Sequence, residues 1–165
     1  MKRLFSIIVF LALMTAAVAQ ASNVYVPSIA YKGKEIFIIK IICTGTSDGA
    51  ATDALTISAA AYPEIFDMIQ ETWLVSATTI PGGTAPDAAD LTVQQQIGGS
   101  AAVIEMFGAN GTNAVHATAT YTVYPIYTSG TSANGYWPIT GALIVDVENQ
   151  ASAGGITNIY LVFSK

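Results

Sequence analysis

Residues 69–113 read IQETWLVSATTIPGGTAPDAADLTVQQQIGGSAAVIEMFGANGTN, and this stretch decides the fold. Two runs rich in Thr, Val and other strand-forming residues, Glu71 to Ile80 and Leu91 to Ile97, flank a Pro/Gly/Asp cluster at Pro81 to Asp90. Because Pro and Gly mark turns between such runs, the pattern predicts a β-hairpin with a long loop. The loop residues singled out are Pro81, Gly82, Gly83, Asp87 and Asp90.

The strands around this loop are predicted from their apolar pattern. Ile36 to Thr44 is almost continuously apolar, which predicts a central strand buried on both faces. Within Glu71 to Ile80, alternation places Trp73, Val75 and Ala77 together on one face of a half-buried strand.

The end of the chain has the most regular alternation. The sets expected to face the core are Leu143, Val145 and Val147 in one strand, and Ile159, Leu161 and Phe163 in the other. Each set recurs with the period of two that is typical of a strand with one buried face. Gln150 to Gly155 is predicted to join these two strands as a second hairpin.

Two further segments depart from the simple strand pattern. Pro27 interrupts the extended run Ser22 to Ile29, which indicates an edge strand or a linker. Pro63 to Met68 begins with Pro and carries acidic residues, which predicts a single helical turn.

With about eight short strands separated by turns, the chain is predicted to be all-β: one antiparallel β-sandwich, expected to be a jelly roll, over residues 22–165.

The first 21 residues form a separate hydrophobic segment. Lys2 and Arg3 precede the apolar run Leu4 to Ala17, and Ala19 to Ala21 has small residues at both ends. This pattern matches a secretory signal peptide cleaved at about Ala21. The apolar run is shorter than the roughly 20 residues that span a bilayer, so no stable membrane anchor is expected. The alternative is a retained N-terminal arm that packs into a neighbouring subunit.

Composition excludes one class of partner and favours another. The chain has a net charge of −5 and only 10% charged residues, so no basic surface for direct nucleic-acid binding is expected. Hydrophobic residues make up 52% of the chain. Such a composition favours surfaces that are buried against protein partners.

No catalytic residue or cofactor site is predicted. His116 is the only histidine, and no nucleophile in a recognisable motif accompanies it, so it is interpreted as a polar residue at a loop edge. A hydrolase built on Asp/Glu pairs is the remaining enzymatic hypothesis. Cys43 is the only cysteine, and its apolar surroundings predict a buried thiol rather than a reactive one.

No metal site is predicted either, because one His and one Cys do not form a zinc site. Oxygen ligands for calcium could come from Asp87 and Asp90, or from Asp48 and Asp53. Neither pair has the spacing of an EF-hand, and Asp commonly bonds to the backbone of its own turn. These residues are therefore interpreted as turn formers.

Aromatic residues mark a candidate contact surface late in the chain. The residues of this predicted patch are Tyr121, Tyr124, Tyr127, Tyr136 and Trp137. Tyr and Trp are common at protein interfaces, and their rings also stack on sugars. They are equally ordinary strand residues, so packing within the domain is an open alternative.

Four segments resemble a group of small structural proteins of tailed-phage virions. They are WLVSATTIPGGTAPDAADLTV (73–93), GANGTNAVHATA (108–119), WPITGALIVDVENQ (137–150) and IYLVFSK (159–165). The resemblance covers about Trp73 to Lys165, and its most distinctive part is PGGTAPDAAD. It implies a non-enzymatic jelly-roll protein that decorates or cements the capsid or sits at a head/tail junction. It further implies a homo-oligomer, a trimer among the options, in contact with other virion structural proteins.

The N-terminal segment departs from that resemblance, because tailed-phage virions assemble in the cytoplasm. The sequence therefore leaves two hypotheses for function and location. One is a virion protein whose hydrophobic segment is retained as an arm. The other is an exported bacterial β-sandwich, secreted or at the cell surface, that acts as a surface, filament or glycan-binding protein.

Overall fold

The computed structural model describes residues 23–45, 54–83, 88–96, 103–126, 138–148 and 155–165, and the backbone alone at 128–129 and 132–133. Within these residues the chain forms eleven strands and one α-helix, and the predicted all-β sandwich is confirmed. The strands are β1 (Val24–Lys32), β2 (Ile36–Thr44), β3 (Leu55–Ile57), β4 (Trp73–Gly82), β5 (Asp90–Gln96), β6 (Val103–Glu105), β7 (Tyr121–Val123), β8 (Thr128–Ser129), β9 (Ser132–Ala133), β10 (Leu143–Glu148) and β11 (Ile156–Ser164).

Two antiparallel sheets make up the sandwich. The five-stranded sheet has the order β1-β2-β11-β4-β7, and the four-stranded sheet has the order β3-β10-β5-β6. Pairing is nested along the chain, because β2 pairs with β11, β3 with β10, β4 with β7, and β5 with β6. The short strands β8 and β9 pair with each other.

Neither predicted hairpin is present. Strands β4 and β5 belong to different sheets, so they do not pair as the hairpin expected around Pro81 to Asp90. Strands β10 and β11 are likewise in different sheets, so the hairpin expected at Gln150 to Gly155 is also wrong. Pro, Gly and Asp turn the chain, but they do not determine which strand becomes the partner.

The core lies between the two sheets and consists mainly of aliphatic and aromatic side chains. The inward-facing sets predicted for β10 and β11 are confirmed, since all their members are buried. These six side chains are Leu143, Val145, Val147, Ile159, Leu161 and Phe163. A regular alternation of apolar residues therefore identified the buried face of both strands.

Strand β2 has the predicted bounds but not the predicted environment. It lies between β1 and β11, inside the five-stranded sheet. Phe37, Ile39, Ile41 and Cys43 are buried, whereas the alternate residues are half-buried or, at Ile36, exposed. A two-layer sandwich covers one face of each sheet, so the expectation of burial on both faces is wrong.

A bulge in β4 overturns the predicted face of that strand. Val162 pairs with Ser76 and the next residue of β11, Phe163, pairs with Leu74, so Val75 is an extra residue. Leu74 and Ala77 are buried, and Val75 is exposed. An extra residue in a strand reverses the alternation beyond it, so Val75 does not share the face of Ala77.

The predicted helical turn is present as a helix of seven residues, α1 (Pro63–Ile69), with Pro63 in its first turn. It packs Ile65, Met68 and Ile69 against the core. The hydroxyl of Thr72 donates to the carbonyl of Ile69 at 2.6 Å and so satisfies a carbonyl at the helix end.

Strand β1 is an edge strand of the five-stranded sheet, as Pro27 predicted. Side chains from β1 and the residue before it reach across to the other sheet. The Tyr25 hydroxyl donates to Asp146 Oδ1 at 2.7 Å and accepts the Val147 N–H at 3.0 Å, and Asn23 Nδ2 donates to the Val147 carbonyl at 2.9 Å. The pairing of β3 with β10 ends at Val145. The bonds from Tyr25 and Asn23 therefore satisfy the N–H and the carbonyl of Val147, which lie beyond the last residue that pairs with β3.

Candidate functional site

Tyr121 begins the edge strand β7 and Tyr124 follows its last residue, and these two members of the predicted tyrosine patch line one groove. Their side chains are 44% and 63% exposed. Tyr127, Tyr136 and Trp137 fall outside the residues whose side chains are described, so the predicted patch is seen only in part.

A shallow groove of about 300 Å³ lies beside these two tyrosines. Its lining is Ala109, Asn110, Thr112, Tyr121, Thr122, Val123 and Tyr124. None of these described lining residues is charged, and Asn110 Nδ2 donates to the Tyr124 carbonyl at 3.2 Å. Exposed rings beside neutral polar groups suit contact with a protein side chain or an uncharged sugar.

His116 lies next to this groove but has the surroundings of a packing residue. Its ring is tilted against the Tyr121 ring, with 5.2 Å between the ring centroids. It follows Val115, which forms an isolated bridge with Ala89. This position agrees with the interpretation of His116 as a residue at a loop edge.

The predicted loop residues take structural positions. Pro81 and Gly82 belong to the end of β4, and Gly83 follows with a φ of 59°, a value that suits glycine. Asp90 Oδ1 accepts the Asn113 N–H at 2.7 Å, which ties the start of β5 to the turn before β7. Asp48, Asp53 and Asp87 fall outside the described residues.

Asp90 Oδ1 thus bonds to the backbone of Asn113, a residue distant in sequence, so the interpretation of Asp90 as a former of its own turn stays a prediction. Among the residues that the structure describes, no group of three or more His, Cys, Asp or Glu side chains is placed to hold a metal ion. In the same part of the chain, no helix has both the length and the apolar character to span a membrane.

Cys43 is fully buried and unpaired, as its apolar surroundings predicted. Burial raises the pKa of its thiol to about 12. Because the thiolate is the reactive form, this cysteine acts as a small apolar core residue.

The outer face of the five-stranded sheet, meaning the face turned away from the core, is an apolar feature that sequence analysis missed. Strand register places alternate residues of β1, β2, β4, β7 and β11 on it. Its exposed apolar side chains are Val24, Val26, Tyr31, Ile36, Val75, Ile80 and Ile156. Lys40 is the one charged residue that register places there among the described strand residues.

A cross-strand row of polar residues crosses this outer face. Ser28, Lys40, Tyr160 and Thr78 are consecutive partners in it, and Thr122 completes the row on β7. The Lys40 ammonium lies 5.8 Å from the centroid of the Tyr160 ring, which is a favourable cation–π distance. The apolar positions lie on both sides of this row.

The sequence contained a sign of this face. Apolar residues occupy both alternating positions in Ile36 to Thr44, although a sandwich can bury only one set against the core. The second set must then lie on the outer face, where it needs another cover or stays exposed.

The outer face of the four-stranded sheet has the opposite character. Asp90 pairs directly with Glu148, while Asp146 and Glu105 occupy nearby positions on the same face. Partial burial and the neighbouring carboxylates Asp146, Asp90 and Glu105 raise the pKa of Glu148. The two outer faces of the sandwich are therefore chemically distinct, one apolar and one acidic.

No protein-family model matches the chain, and no curated protein matches it either.

Proposed function

We propose that this chain is a non-enzymatic structural subunit, a virion protein of a tailed phage that decorates or cements the capsid or sits at a head/tail junction. The observation that carries the proposal is the apolar outer face of the five-stranded sheet, which exposes Val24, Val26 and Ile36, with Lys40 the one charged residue among the described strand residues of that face. Exposed apolar areas of this kind mark interaction surfaces. The partners in this proposal are further copies of the chain and other virion structural proteins.

The strand order supports the same proposal. We infer a jelly roll, because β2 to β5 pair with β11, β10, β7 and β6 in nested order and fill two four-strand layers, with β1 added at one edge. Jelly rolls occur in viral capsid proteins, and also in lectins and other domains. The order therefore favours a capsid role without being specific to it.

The groove beside Tyr121 and Tyr124 provides a second contact surface in this proposal. Tyrosine at the rim of an assembled subunit adds contact area at little cost in side-chain entropy. The neutral lining also suits a glycan, which links this groove to the second candidate function.

The second candidate is an exported bacterial β-sandwich that serves as a surface, filament or glycan-binding protein. The observation that favours it is the signal-peptide-like segment, with Lys2 and Arg3 before the apolar run Leu4 to Ala17. In that case the same apolar face would be buried in an extracytoplasmic assembly.

Intact-mass and N-terminal analysis of the protein from its native source tests the proposal. A chain that begins at Met1 or Lys2 and is recovered from purified particles in a fixed ratio to the major capsid protein is the expected result. A chain that begins near Ser22 and is found outside the cytoplasm, with none in particles, would overturn the virion role in favour of export.

A further inference from the structure

The outer face of the five-stranded sheet exposes several apolar side chains to solvent in the single chain. Exposure is 55% at Val26, and Val24, Ile36, Val75, Ile80 and Ile156 are also exposed. We infer that this face packs against the same face of a second copy of the chain, forming an isologous sheet-on-sheet pair. The inference rests on the proposed role as an assembly subunit and names both its partner and its contact surface.

The size of the face fits such a pair. Four of its strands are nine or ten residues long. At the usual strand rise and spacing they cover on the order of 600 Å². This footprint of the whole face, polar row included, approaches the ~800 Å² that each partner buries in a standard interface.

The charge distribution allows a second copy of the chain to pack on the apolar face. The net charge of −5 makes self-association unfavourable through any acidic surface. The carboxylates Asp90, Asp146 and Glu148 lie on the opposite side of the sandwich from the apolar face. In a pair joined by the apolar faces, the two acidic faces are about 30 Å apart, several times the ~8 Å screening length at physiological salt.

Surface shape and the polar row also suit self-pairing. Two sheets with outward β-branched side chains pack at an angle of about 30°, as the two layers inside a sandwich do. The polar row through Ser28, Lys40 and Tyr160 crosses the face. Where the polar rows of two copies cross, each Lys40 ammonium meets hydroxyl groups, so it is not buried against hydrocarbon.

Sedimentation velocity on the native-length protein tests the pair, over a concentration series from about 1 μM upward. The wild-type chain is expected to sediment as a pair or as a larger species that contains it. Val26→Lys and, separately, Val24→Lys are expected to weaken pairing on the order of tenfold or more, because each brings an unpartnered ammonium into the interface. Thermal unfolding of each variant checks that it is folded.

Val103→Lys is the matched control. Val103 is 44% exposed on the outer face of the four-stranded sheet, and the substitution changes charge and size in the same way. It is expected to leave pairing unchanged.

Three results would overturn the inference. The first is a wild-type chain that stays monomeric throughout the concentration series. The second is an assembly that folded Val24→Lys and Val26→Lys leave intact. The third is an assembly that Val103→Lys weakens as much as Val26→Lys does. Recovery of a monomeric chain from purified particles would reject the pair while leaving the structural role in place.

Discussion

At the scale of single residues, the hydrogen bonds of Tyr25 join the two sheets. Its hydroxyl bonds to both Asp146 and Val147 of β10, although Tyr25 itself belongs to the other sheet. Burial, with a further contribution from the Asp146 carboxylate, raises the pKa of Tyr25. The phenol is therefore neutral and able to donate over the whole physiological range.

Tyr25→Phe is expected to lower the free energy of unfolding by about 1–3 kcal/mol, because it leaves a backbone N–H and a carboxylate without this partner. Urea unfolding followed by fluorescence measures the effect. Tyr124→Phe is the control, since the Tyr124 side chain is 63% exposed and its hydroxyl can bond to water. Equal stability of both variants would contradict the bridging role of Tyr25.

Glu148 gives a prediction for pH. Because the pKa of Glu148 is raised in the folded chain, the native state binds this proton more tightly than the unfolded state does. The contribution of Glu148 to stability is then least favourable at neutral pH, and it improves as pH falls through the raised pKa toward 4.5, the ordinary value.

Glu148→Gln is expected to stabilise the protein at pH 7 by about 0.2–1 kcal/mol, the usual cost of like charges directly opposite in a sheet, screened here by solvent. The difference in the free energy of unfolding between Glu148→Gln and the wild type should become smaller as the pH falls toward 4.5. Gln94→Glu, which adds a carboxylate opposite Glu105, should destabilise the protein at pH 7. Chemical denaturation at several pH values measures both, and a Glu148→Gln effect independent of pH would contradict the account.

At the scale of elements, the glycine-rich turn before β7 is held by a close backbone contact. Residues Gly108–Gly111 form a short 3-10 helix, and Gly111 is buried against β5. A Cβ at position 111 would overlap the carbonyl oxygen of Leu91. Neither the 3-10 helix nor β5 can shift freely, because the Asn113 N–H also bonds to Asp90.

Gly111→Ala is therefore expected to destabilise the domain by about 1–3 kcal/mol, the usual cost of overpacking. The matched control is Gly108→Asn, because Gly108 has open space and a φ of 50°, which Asn tolerates. Thermal unfolding measures both variants. A Gly111→Ala variant with the unfolding temperature of the wild type would contradict the close contact between Gly111 and the Leu91 carbonyl.

The same scale shows what the sequence could predict. The predicted bounds of β2 match the structure. The predicted buried faces of β10 and β11 are also correct, because the alternation of apolar residues depends only on local sequence. Both hairpins were wrong, because the pairing of β4 with β11 and of β5 with β10 depends on distant segments. The bulge at Val75 was equally invisible, since it arises from the register with β11.

For the candidate site, sequence alone located single residues but not surfaces. Tyr121 and Tyr124 were expected at a contact surface, and the structure places both at an exposed edge. The apolar outer face was missed because its members come from β1, β2, β4 and β11, which only the strand order brings together.

At the scale of the whole molecule, the sandwich is amphipathic. One sheet presents apolar side chains such as Val26 and Ile80, and the other presents Asp90 and Glu148. Burying the apolar face in an assembly removes it from water and leaves the acidic face in contact with solvent.

Hydroxyl-radical footprinting of the protein in its native assembly, compared with the dissociated chain, tests this account most directly. Val26 and Tyr31 should be protected in the assembly and become reactive on dissociation, whereas Val103 should react equally in both, since it lies on the other sheet. Equal reactivity of Val26 and Tyr31 in the two states, with protection at Tyr124 instead, would assign assembly to the tyrosine groove and contradict the central claim.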